Sequence, residues 1–282
     1  MKTRTKLIYP LPDVVLTETD ILPDISEPLA SGENWQAGNS EFLLSAKGVG
    51  SFYVRDGREV IYHVADGADR AWVQLYLNGQ VLVALLHQRK IISFHASSFI
   101  NTGRGVMLIG ETGSGKTSLM LAFALAGAGF LSDDLTPVVF RDNVPQFWSI
   151  SRKVKLRSDA IAQLNISDEK LTNAEAGTGK KYLRLEKSAK EYQRLDIILK
   201  IETGDVDAPV FRELATAEKF ALLRSEICSW EILAGMPETE AVYLQQLVGI
   251  IERVRFVRVV RPAKIKIAEM HQAVREFLLR QG

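Results

Sequence analysis

One glycine-rich octapeptide restricts the local folding of this chain more than any other segment. It reads Gly110-Glu111-Thr112-Gly113-Ser114-Gly115-Lys116-Thr117, and its two glycines four residues apart, followed by lysine and threonine, form the pattern of a phosphate-binding loop. Such a loop needs a strand before it and a helix after it, because backbone N–H groups must converge on a phosphate at the positive end of a helix. The flanking residues agree: residues 106–109 predict a buried strand, and residues 117–126, apolar on nearly every side, predict a covered helix.

The residue types within this loop suit a nucleotide. Gly113, Ser114 and Gly115 let the main chain wrap an anion closely, Lys116 reaches terminal phosphates, and the Thr117 hydroxyl can bind Mg²⁺. The alternative is a tight strand-to-helix turn without a ligand, although such a turn does not require lysine and threonine in these places. We therefore predict nucleotide binding by the following residues: Gly110, Thr112, Gly113, Ser114, Gly115, Lys116, Thr117 and Ser118.

An acidic pair, Asp133 and Asp134, follows the short strand predicted at Phe130-Leu131. Adjacent carboxylates at a strand end are costly to bury without a cation. If both point into the phosphate site, one can bind metal and the other can abstract a proton, since a like-charged neighbour raises a carboxylate pKa toward values suited to a general base. The alternative is a solvated turn, because aspartate is common in turns.

His95 lies in the strand predicted over residues 91–100, next to the strand that enters the loop. A histidine there can hold an acidic side chain in position, but a lone histidine in an apolar strand is also a common core residue. The other histidines, His63, His87 and His271, have no partner pattern, and with one cysteine the sequence offers no zinc-type cluster. The sequence also lacks a hydrolase nucleophile elbow and a dinucleotide fingerprint.

Three segments around the loop resemble one known family. They read His95-Ala-Ser-Ser, Gly105-Val-Met-Leu-Ile-Gly110 and Gly129-Phe-Leu-Ser-Asp-Asp134, and with the loop they resemble the catalytic core of bacterial HPr kinase/phosphorylase and related serine kinases. The resemblance is specific over residues 91–140. It implies an α/β fold with a P-loop core, and a kinase that uses ATP and Mg²⁺ to phosphorylate a serine hydroxyl of a small protein or peptide.

The resemblance also implies a role for each residue. Lys116 and Thr117 would keep the phosphate and Mg²⁺ roles. Asp133 matches the acidic neighbour of the catalytic aspartate, and we assign it to the metal together with Thr117. Asp134 matches the aspartate that deprotonates the acceptor serine, and His95 matches the histidine that contacts the acidic pair. Because the family forms hexamers, a homo-oligomer is compatible with this sequence.

One downstream stretch departs from the family. Bifunctional members carry a glutamate there that binds Mg²⁺ and supports phosphorolysis, whereas residues 147–157 read Phe-Trp-Ser-Ile-Ser-Arg-Lys-Val-Lys-Leu-Arg. We therefore expect no phosphorylase activity. The basic residues Arg152, Lys155 and Arg157 instead resemble the Lys-Leu stretch of kinases encoded beside peptide-maturation genes, including those that act on lasso-peptide precursors, and a solvated strand is the alternative. The polar loop at residues 177–181 either closes over phosphate or substrate or is simply exposed.

The distribution of prolines and apolar residues predicts a division of the chain near residue 90. Residues 1–40 are rich in proline and are expected to be extended and irregular. The turn Asp56-Gly57 between apolar runs predicts an antiparallel hairpin, and residues 69–90 predict an amphipathic helix. We assign residues 1–90 to an extended segment with a small β-containing unit, and residues 91–282 to a P-loop catalytic domain. Weaker signals predict a strand at 154–156, a helix from 159, a strand at 195–201 and a helix at 267–279.

The net charge bears on which classes of partner the protein binds, and the cysteine count bears on its compartment. Lys and Arg total 35 against 34 Asp and Glu, so the net charge of +1 provides no field to attract nucleic acid or a membrane surface. Cys228, the single cysteine, and an N-terminus without a signal-peptide pattern fit a cytoplasmic protein. Two other functions stay open at this level: a nucleotide-binding module without catalysis, and a small-molecule kinase or phosphoenolpyruvate-carboxykinase-like phosphotransferase.

Overall fold

The structure is a computed structural model that describes residues 7, 9–150, 153–174, 178–185 and 191–280. Its chain forms two compact units, the first made of Met1–Ser93 with Ile227–Gln246 and the second of Phe94–Glu226 with Leu247–Gly282. These units differ from the predicted division at residue 90 because residues 227–246 belong to the N-terminal unit. Composition cannot reveal such a return, because an apolar segment looks the same whichever core it fills.

One sheet organises the first unit. Its order is β1-β6-β5-β4-β3-β2, with β1 parallel to β6 and the other neighbours antiparallel. The strands are β1 (Val15–Glu18), β2 (Ala30–Ser31), β3 (Trp35–Ala37), β4 (Glu41–Ala46), β5 (Gly50–Arg55) and β6 (Glu59–Val64). The predicted hairpin is confirmed: Asp56 and Gly57 both have positive φ (53° and 63°), as a tight turn between right-twisted strands requires.

The expectation that residues 1–40 are irregular is wrong at β1, β2 and β3. Two of the prolines that suggested it, Pro10 and Pro12, precede β1, and the other two, Pro23 and Pro28, lie between β1 and β2. β1 is held by the edge of β6, where the Val15 N–H donates to the Arg58 carbonyl at 2.9 Å and the Thr19 N–H to the Tyr62 carbonyl at 2.9 Å. That edge is distant in sequence, so local composition gives no sign of it.

The helix predicted over residues 69–90 is present in two parts. α1 (Arg70–Tyr76) and α2 (Leu82–Gln88) flank a π-helical turn at Leu77–Val81, where Gly79 leaves helical geometry. The returning segment contributes a 3₁₀ turn at Trp230–Gly235, and a Cβ on Gly235 would lie 2.5 Å from the Cβ of Ala37. Such close packing explains why residues 227–246 belong to this unit.

A mixed sheet organises the second unit, and the mixed α/β class expected from the sequence is present. The strand order is β10-β8-β9-β16-β12-β11, with β18 beside β16 and β17 beside β18. The strands are β8 (Ser97–Asn101), β9 (Arg104–Ile109), β10 (Gly129–Ser132), β11 (Thr136–Arg141), β12 (Val144–Trp148), β16 (Tyr192–Gly204), β17 (Val210–Glu213) and β18 (Arg255–Pro262). A smaller sheet is formed by β13 (Lys153–Leu156), β14 (Leu171–Asn173) and β15 (Lys181–Arg184).

Strand direction determines where the chemistry can lie. β9, β16 and β18 are parallel, and β10 runs the same way because both it and β9 are antiparallel to β8. The carboxyl ends of these four strands therefore meet at one edge of the sheet, the edge at which open α/β sheets bind their ligands.

Helices cover this sheet around an apolar core. α3 (Lys116–Leu125) packs with α7 (Ile267–Leu279), and the Phe99 and Phe123 rings stack at 4.4 Å between α3 and the sheet. The remaining helical segments are α4 (Ser158–Gln163), a 3₁₀ turn at Asp168–Lys170 and α5 (Thr216–Ser225). The chain passes between the units within β7 (Ile92–Phe94) and within α6 (Pro237–Arg253). Among the described residues, none of the helices is both long enough and apolar enough to cross a bilayer.

One predicted strand is wrong in its continuity. The strand at residues 91–100 is interrupted at His95, whose N–H donates to the Glu226 carbonyl at 2.7 Å. The basic stretch at 147–157 is divided between β12 and β13, with Lys155 in β13 and Arg157 after it. Arg152 lies outside the described residues, and so does Gly177, the first residue of the polar loop. The strands and helices predicted near 106, 117, 154, 159, 195 and 267 are confirmed.

Candidate functional site

The octapeptide connects the carboxyl end of β9 to the first turn of α3, as predicted. Gly110, Gly113 and Gly115 have φ values of 135°, 87° and 100°, which side chains rarely adopt, and Gly115 caps the helix. At Gly110 there is also no space, since a Cβ would lie 2.2 Å from the Ile201 carbonyl oxygen. The Ser114 N–H donates to the Glu111 carbonyl at 3.1 Å and closes the turn. The glycines therefore meet a backbone requirement at each position.

Lys116 lies folded against its own loop. Its side chain is buried, and Nζ donates to the Gly110 carbonyl at 2.5 Å and to the Glu111 carbonyl at 3.2 Å. Burial lowers the pKa of Lys116, and the charges of Glu226, Asp134 and Asp133 oppose that change. An ammonium group that lies among carboxylates and holds only neutral carbonyls is available to an incoming anion.

Asp133 is joined to the loop through its carboxylate. Oδ1 accepts hydrogen bonds from Ser97 Oγ at 2.6 Å and from Thr117 Oγ1 at 2.9 Å, and the side chain is buried. Burial is the main reason why the pKa of Asp133 lies well above its ordinary value, and the neighbouring charge of Asp134 raises it further. Oδ2 is buried without a hydrogen-bond partner among the described residues. This carboxylate therefore has one oxygen in use and one oxygen that lacks a partner.

Asp134 has a different environment from its neighbour. It is exposed, its φ is 62°, and the Leu135 N–H donates to the Asp133 carbonyl at 2.8 Å across it, which closes a three-residue turn. The left-handed conformation of a non-glycine residue stores strain of a kind found at functional sites. The two aspartates are thus separated into a buried one on the loop and an exposed one beside it.

His95 lies against this turn. Burial, and after it the charge of Lys116, lowers the pKa of His95, and the charge and main chain of Asp134 oppose that change. His95 is therefore near Asp134, and its predicted contact with the acidic pair stays a prediction.

Buried hydroxyl groups support the strand end that carries the aspartates. Ser132 Oγ lies 2.6 Å from Ser98 Oγ and 2.7 Å from Thr136 Oγ1, and the latter hydroxyl donates to the Ala96 carbonyl at 2.9 Å. These hydrogen bonds connect β8 to the chain on both sides of the acidic pair. They fix Asp133 relative to Ser97, which is the next residue along from Ala96.

The sequence analysis missed two residues of the site, Glu226 and Arg261. Glu226 follows α5. Burial raises the pKa of Glu226, and the Lys116 charge and the Gly110 N–H oppose that change by favouring the carboxylate. Arg261 is near the carboxyl end of β18, where Nε donates to the Ser114 carbonyl at 2.8 Å. The aromatic and β-branched residues at 256–260, interrupted only by Arg258, could have predicted β18 and hence Arg261, whereas no local signal indicates Glu226.

The residues present fit a nucleotide with Mg²⁺. Thr117 and Asp133 supply a hydroxyl and a carboxylate with a free oxygen, and Ser114 Oγ is a second buried atom without a partner among the described residues. Thr112 and Gly113 are exposed at the loop tip, and Ser118 is half-buried in α3. In the described part of the chain, no three His, Cys, Asp or Glu residues lie close enough to form a metal site by themselves. A metal here would therefore depend on the phosphate for further ligands, as Mg²⁺ in nucleotide sites usually does.

The chain has a structural likeness to a known protein but no match among family models or curated sequences. No family model matches the sequence. No curated protein sequence matches it. Among solved structures, the chain is similar to the HPr(Ser) kinase/phosphatase from Coxiella burnetii, with 12% identity and a TM-score of 0.37 over 67% of this chain and 97% of that chain. A likeness of this size does not by itself establish a shared activity.

Proposed function

We propose that this chain is an ATP-dependent kinase that transfers the γ-phosphate to a serine hydroxyl of a small protein or peptide. The observation that carries the proposal is the junction between the loop and the acidic pair: Thr117 Oγ1 lies 2.9 Å from Asp133 Oδ1, and exposed Asp134 follows directly. One carboxylate beside the loop threonine is common to P-loop sites that bind nucleotide with Mg²⁺, and the second, exposed carboxylate is the feature that favours transfer to an acceptor. A phosphoryl transferase needs one carboxylate to help hold metal and one to activate the acceptor.

The loop would hold the triphosphate through its backbone. Peptide N–H groups at the start of α3 point toward an anion at the positive end of that helix. Lys116 would exchange its carbonyl contacts at Gly110 and Glu111 for phosphate oxygens, which as charged partners bind it more strongly.

Thr117 and Asp133 would hold Mg²⁺. When bound, the metal supplies neutralising charge to the phosphate oxygens during transfer. Ser97 orients Asp133 by its hydrogen bond to Oδ1, so Oδ2 is the oxygen that a cation would complete. A cation there would also offset the burial of this carboxylate, which otherwise favours its protonated form.

Asp134 would act as the general base. Its carboxylate accepts the serine proton while the serine oxygen forms a bond to the γ-phosphorus, and the bond from that phosphorus to the bridging oxygen of ADP breaks. His95, which lies beside Asp134, would hold the turn that presents this carboxylate. Correct positioning of these groups supplies most of the rate enhancement in such transfers.

The acceptor class follows from two observations. The segments around the loop resemble serine kinases that act on small proteins or peptides, and Asp134 is exposed rather than enclosed, which suits a serine presented on a polypeptide. The absence of the family's downstream glutamate at residues 147–157 supports transfer without phosphorolysis. The same resemblance makes HPr-like carriers and precursor peptides, such as those of lasso peptides, the first acceptors to test.

The experiment compares label transfer from γ-labelled ATP to a library of serine-containing peptides by wild type and Asp134→Asn. Asparagine tolerates positive φ, so the turn is retained while the base is lost. We expect transfer to fall by about 10²- to 10⁴-fold, while the dissociation constant for ADP, measured by calorimetry, rises by less than about threefold because Asp134 does not bind phosphate. Asp142→Asn is the matched control, because Asp142 is also exposed and has φ of 50° in the turn between β11 and β12.

Each alternative gives a different result. Normal transfer by Asp134→Asn would exclude Asp134 as the base. A wild-type protein that binds ADP but transfers no label to any peptide would be a nucleotide-binding module. Transfer to small alcohols alone would indicate a small-molecule kinase or a phosphoenolpyruvate-carboxykinase-like enzyme.

A further inference from the structure

Arg261 joins the far side of the phosphate loop to the neighbouring sheet. From its place near the end of β18, Nε donates to the Ser114 carbonyl at 2.8 Å and Nη2 to the Gly113 carbonyl at 3.4 Å. Nη1 donates to the carbonyls of Pro262 at 3.0 Å and Ala263 at 3.3 Å. The guanidinium group thus links consecutive loop peptides to the turn that follows its own strand.

These contacts determine where the loop N–H groups point. In a trans peptide the C=O and N–H bonds point in opposite directions. The Ser114 carbonyl and the Gly115 N–H belong to the same peptide, so the 2.8 Å bond that draws this carbonyl toward Arg261 turns the Gly115 N–H away from it. The positive φ of Gly113 and Gly115 allows this orientation on both sides of Ser114.

Arg261 also brings charge to the loop. Within the part of the chain that the structure describes, its contacts are with neutral carbonyls, and it forms no ion pair. The carboxylates of Asp133, Asp134 and Glu226 all act on Lys116 nearby, and each opposes the binding of an anion. A cation that is not neutralised by a carboxylate, placed behind the loop, offsets part of that repulsion.

We propose that Arg261 is a positioning residue of the phosphate loop, which fixes the Ser114–Gly115 peptide and supplies positive charge without touching the ligand. This inference rests on the proposed nucleotide binding. It differs from the loop motif itself, because Arg261 lies about 150 positions beyond it in the sequence and reaches it only through β18.

The test measures ADP affinity by calorimetry in wild type, Arg261→Ala and Arg261→Lys. A hydrogen bond to a charged group contributes enough that we expect Arg261→Ala to weaken ADP binding by about 10- to 100-fold. Arg261→Lys keeps the charge but cannot span two carbonyls, so we expect a smaller loss of about 3- to 10-fold. Arg255→Ala is the matched control, because it removes the same side chain from the other end of β18, where Arg255 pairs with Glu213.

Chemical rescue separates positioning from general stability. Ethylguanidinium at millimolar concentration should restore ADP affinity at least threefold in Arg261→Ala, because it can occupy the vacated site between the carbonyls. It should not do so in Lys116→Ala, which keeps Arg261 and has no vacated site, and any rise in melting temperature that it causes should be confined to Arg261→Ala.

The outcomes are distinguishable. Wild-type affinity in Arg261→Ala, or an affinity loss without rescue, would overturn the inference about Arg261. A wild-type protein that binds no ADP would instead refute the proposed function. If Arg261→Ala does not fold, Arg261→Lys decides: a loss of affinity relative to Arg255→Lys supports the inference, and equal affinity overturns it.

Discussion

Acid should destabilise the first unit through one buried histidine, His87. Its ring is fully buried, with Nδ1 2.9 Å from Tyr243 Oη and Nε2 3.0 Å from the Cys228 carbonyl. Burial lowers the pKa of His87 from 6.5 to about 4. Replacing this ring with glutamine removes the titrating group and leaves hydrogen-bonding atoms in the same place.

The sign and size of the effect follow from proton linkage. Between pH 6.5 and about 4 the unfolded chain binds a proton at His87 that the folded chain excludes. Stability contributed by the neutral ring is therefore complete above pH 6.5 and is lost as the pH falls toward 4. At about 1.4 kcal/mol per pH unit, the full loss amounts to about 3 kcal/mol of unfolding free energy.

A competing effect makes the outcome informative. The Tyr243 hydroxyl donates to the Ile91 carbonyl at 2.6 Å, so a charged ring could donate to Tyr243 and to Cys228 at the same time and satisfy all three contacts. Each such bond contributes about 1 kcal/mol. Burying an imidazolium with no carboxylate partner among the described residues costs several kcal/mol, so we expect desolvation to dominate.

Urea unfolding between pH 4.5 and 7.5, monitored by tryptophan fluorescence, measures the free energy of unfolding at each pH. A Trp148→Phe background leaves Trp35, Trp72 and Trp230, all in the first unit, as the reporters. As the pH falls from 7 to 4.5, we expect the free energy of unfolding of the background protein to fall by about 2 to 3 kcal/mol relative to that of His87→Gln. Thr239→Val is the control, since it removes the 3.2 Å hydrogen bond to the His87 carbonyl without removing the ring, and it should lower stability equally at every pH.

Two results would refute this reasoning. Parallel pH profiles for the background protein and His87→Gln would mean that the ring does not exchange protons on unfolding in this range. A background protein that gains stability relative to His87→Gln in acid would mean that the hydrogen bonds outweigh desolvation.

Two further predictions concern the loop. Lys116→Ala should weaken ADP binding by about 100-fold and abolish label transfer, whereas unchanged ADP affinity by calorimetry would remove Lys116 from the phosphate site. Gly110→Ala should lower the melting temperature far more than Gly103→Ala, because both glycines have positive φ but only the Cβ at 110 would collide with a backbone atom, at 2.2 Å from the Ile201 carbonyl oxygen. Equal effects of the two substitutions on thermal unfolding would mean that φ strain alone, worth about 1 kcal/mol, governs both positions.

Local patterns predicted much of the second unit. The octapeptide required a strand, a tight turn and a helix, and β9 and α3 are found on either side of it. The helix at 267–279 is also where its apolar period indicates. These features depend on φ preferences and on spacing within a few residues, so they can be read without knowledge of partners.

The acidic pair is an example of what local sequence patterns could not predict. Sequence patterns allowed Asp133 and Asp134 to be either a site or a solvated turn. What no local pattern shows is that β10 runs parallel to β9, which brings the end of β10 to the loop and Asp133 within 2.9 Å of Thr117. The expected continuous strand at 91–100 was wrong for a similar reason, since the His95 N–H bonds to Glu226 rather than to a neighbouring strand.

The octapeptide by itself determined a strand-turn-helix conformation, because side chains rarely adopt the backbone angles of Gly110, Gly113 and Gly115 and the following helix supplies the positive end. Tertiary structure alone brought Arg261 and Glu226 to that loop and returned residues 227–246 to the first unit. Which distant segments meet depends on which apolar surfaces bury one another and which backbone edges remain to be paired. Those are properties of the assembled sheets, and no short stretch of the chain contains them.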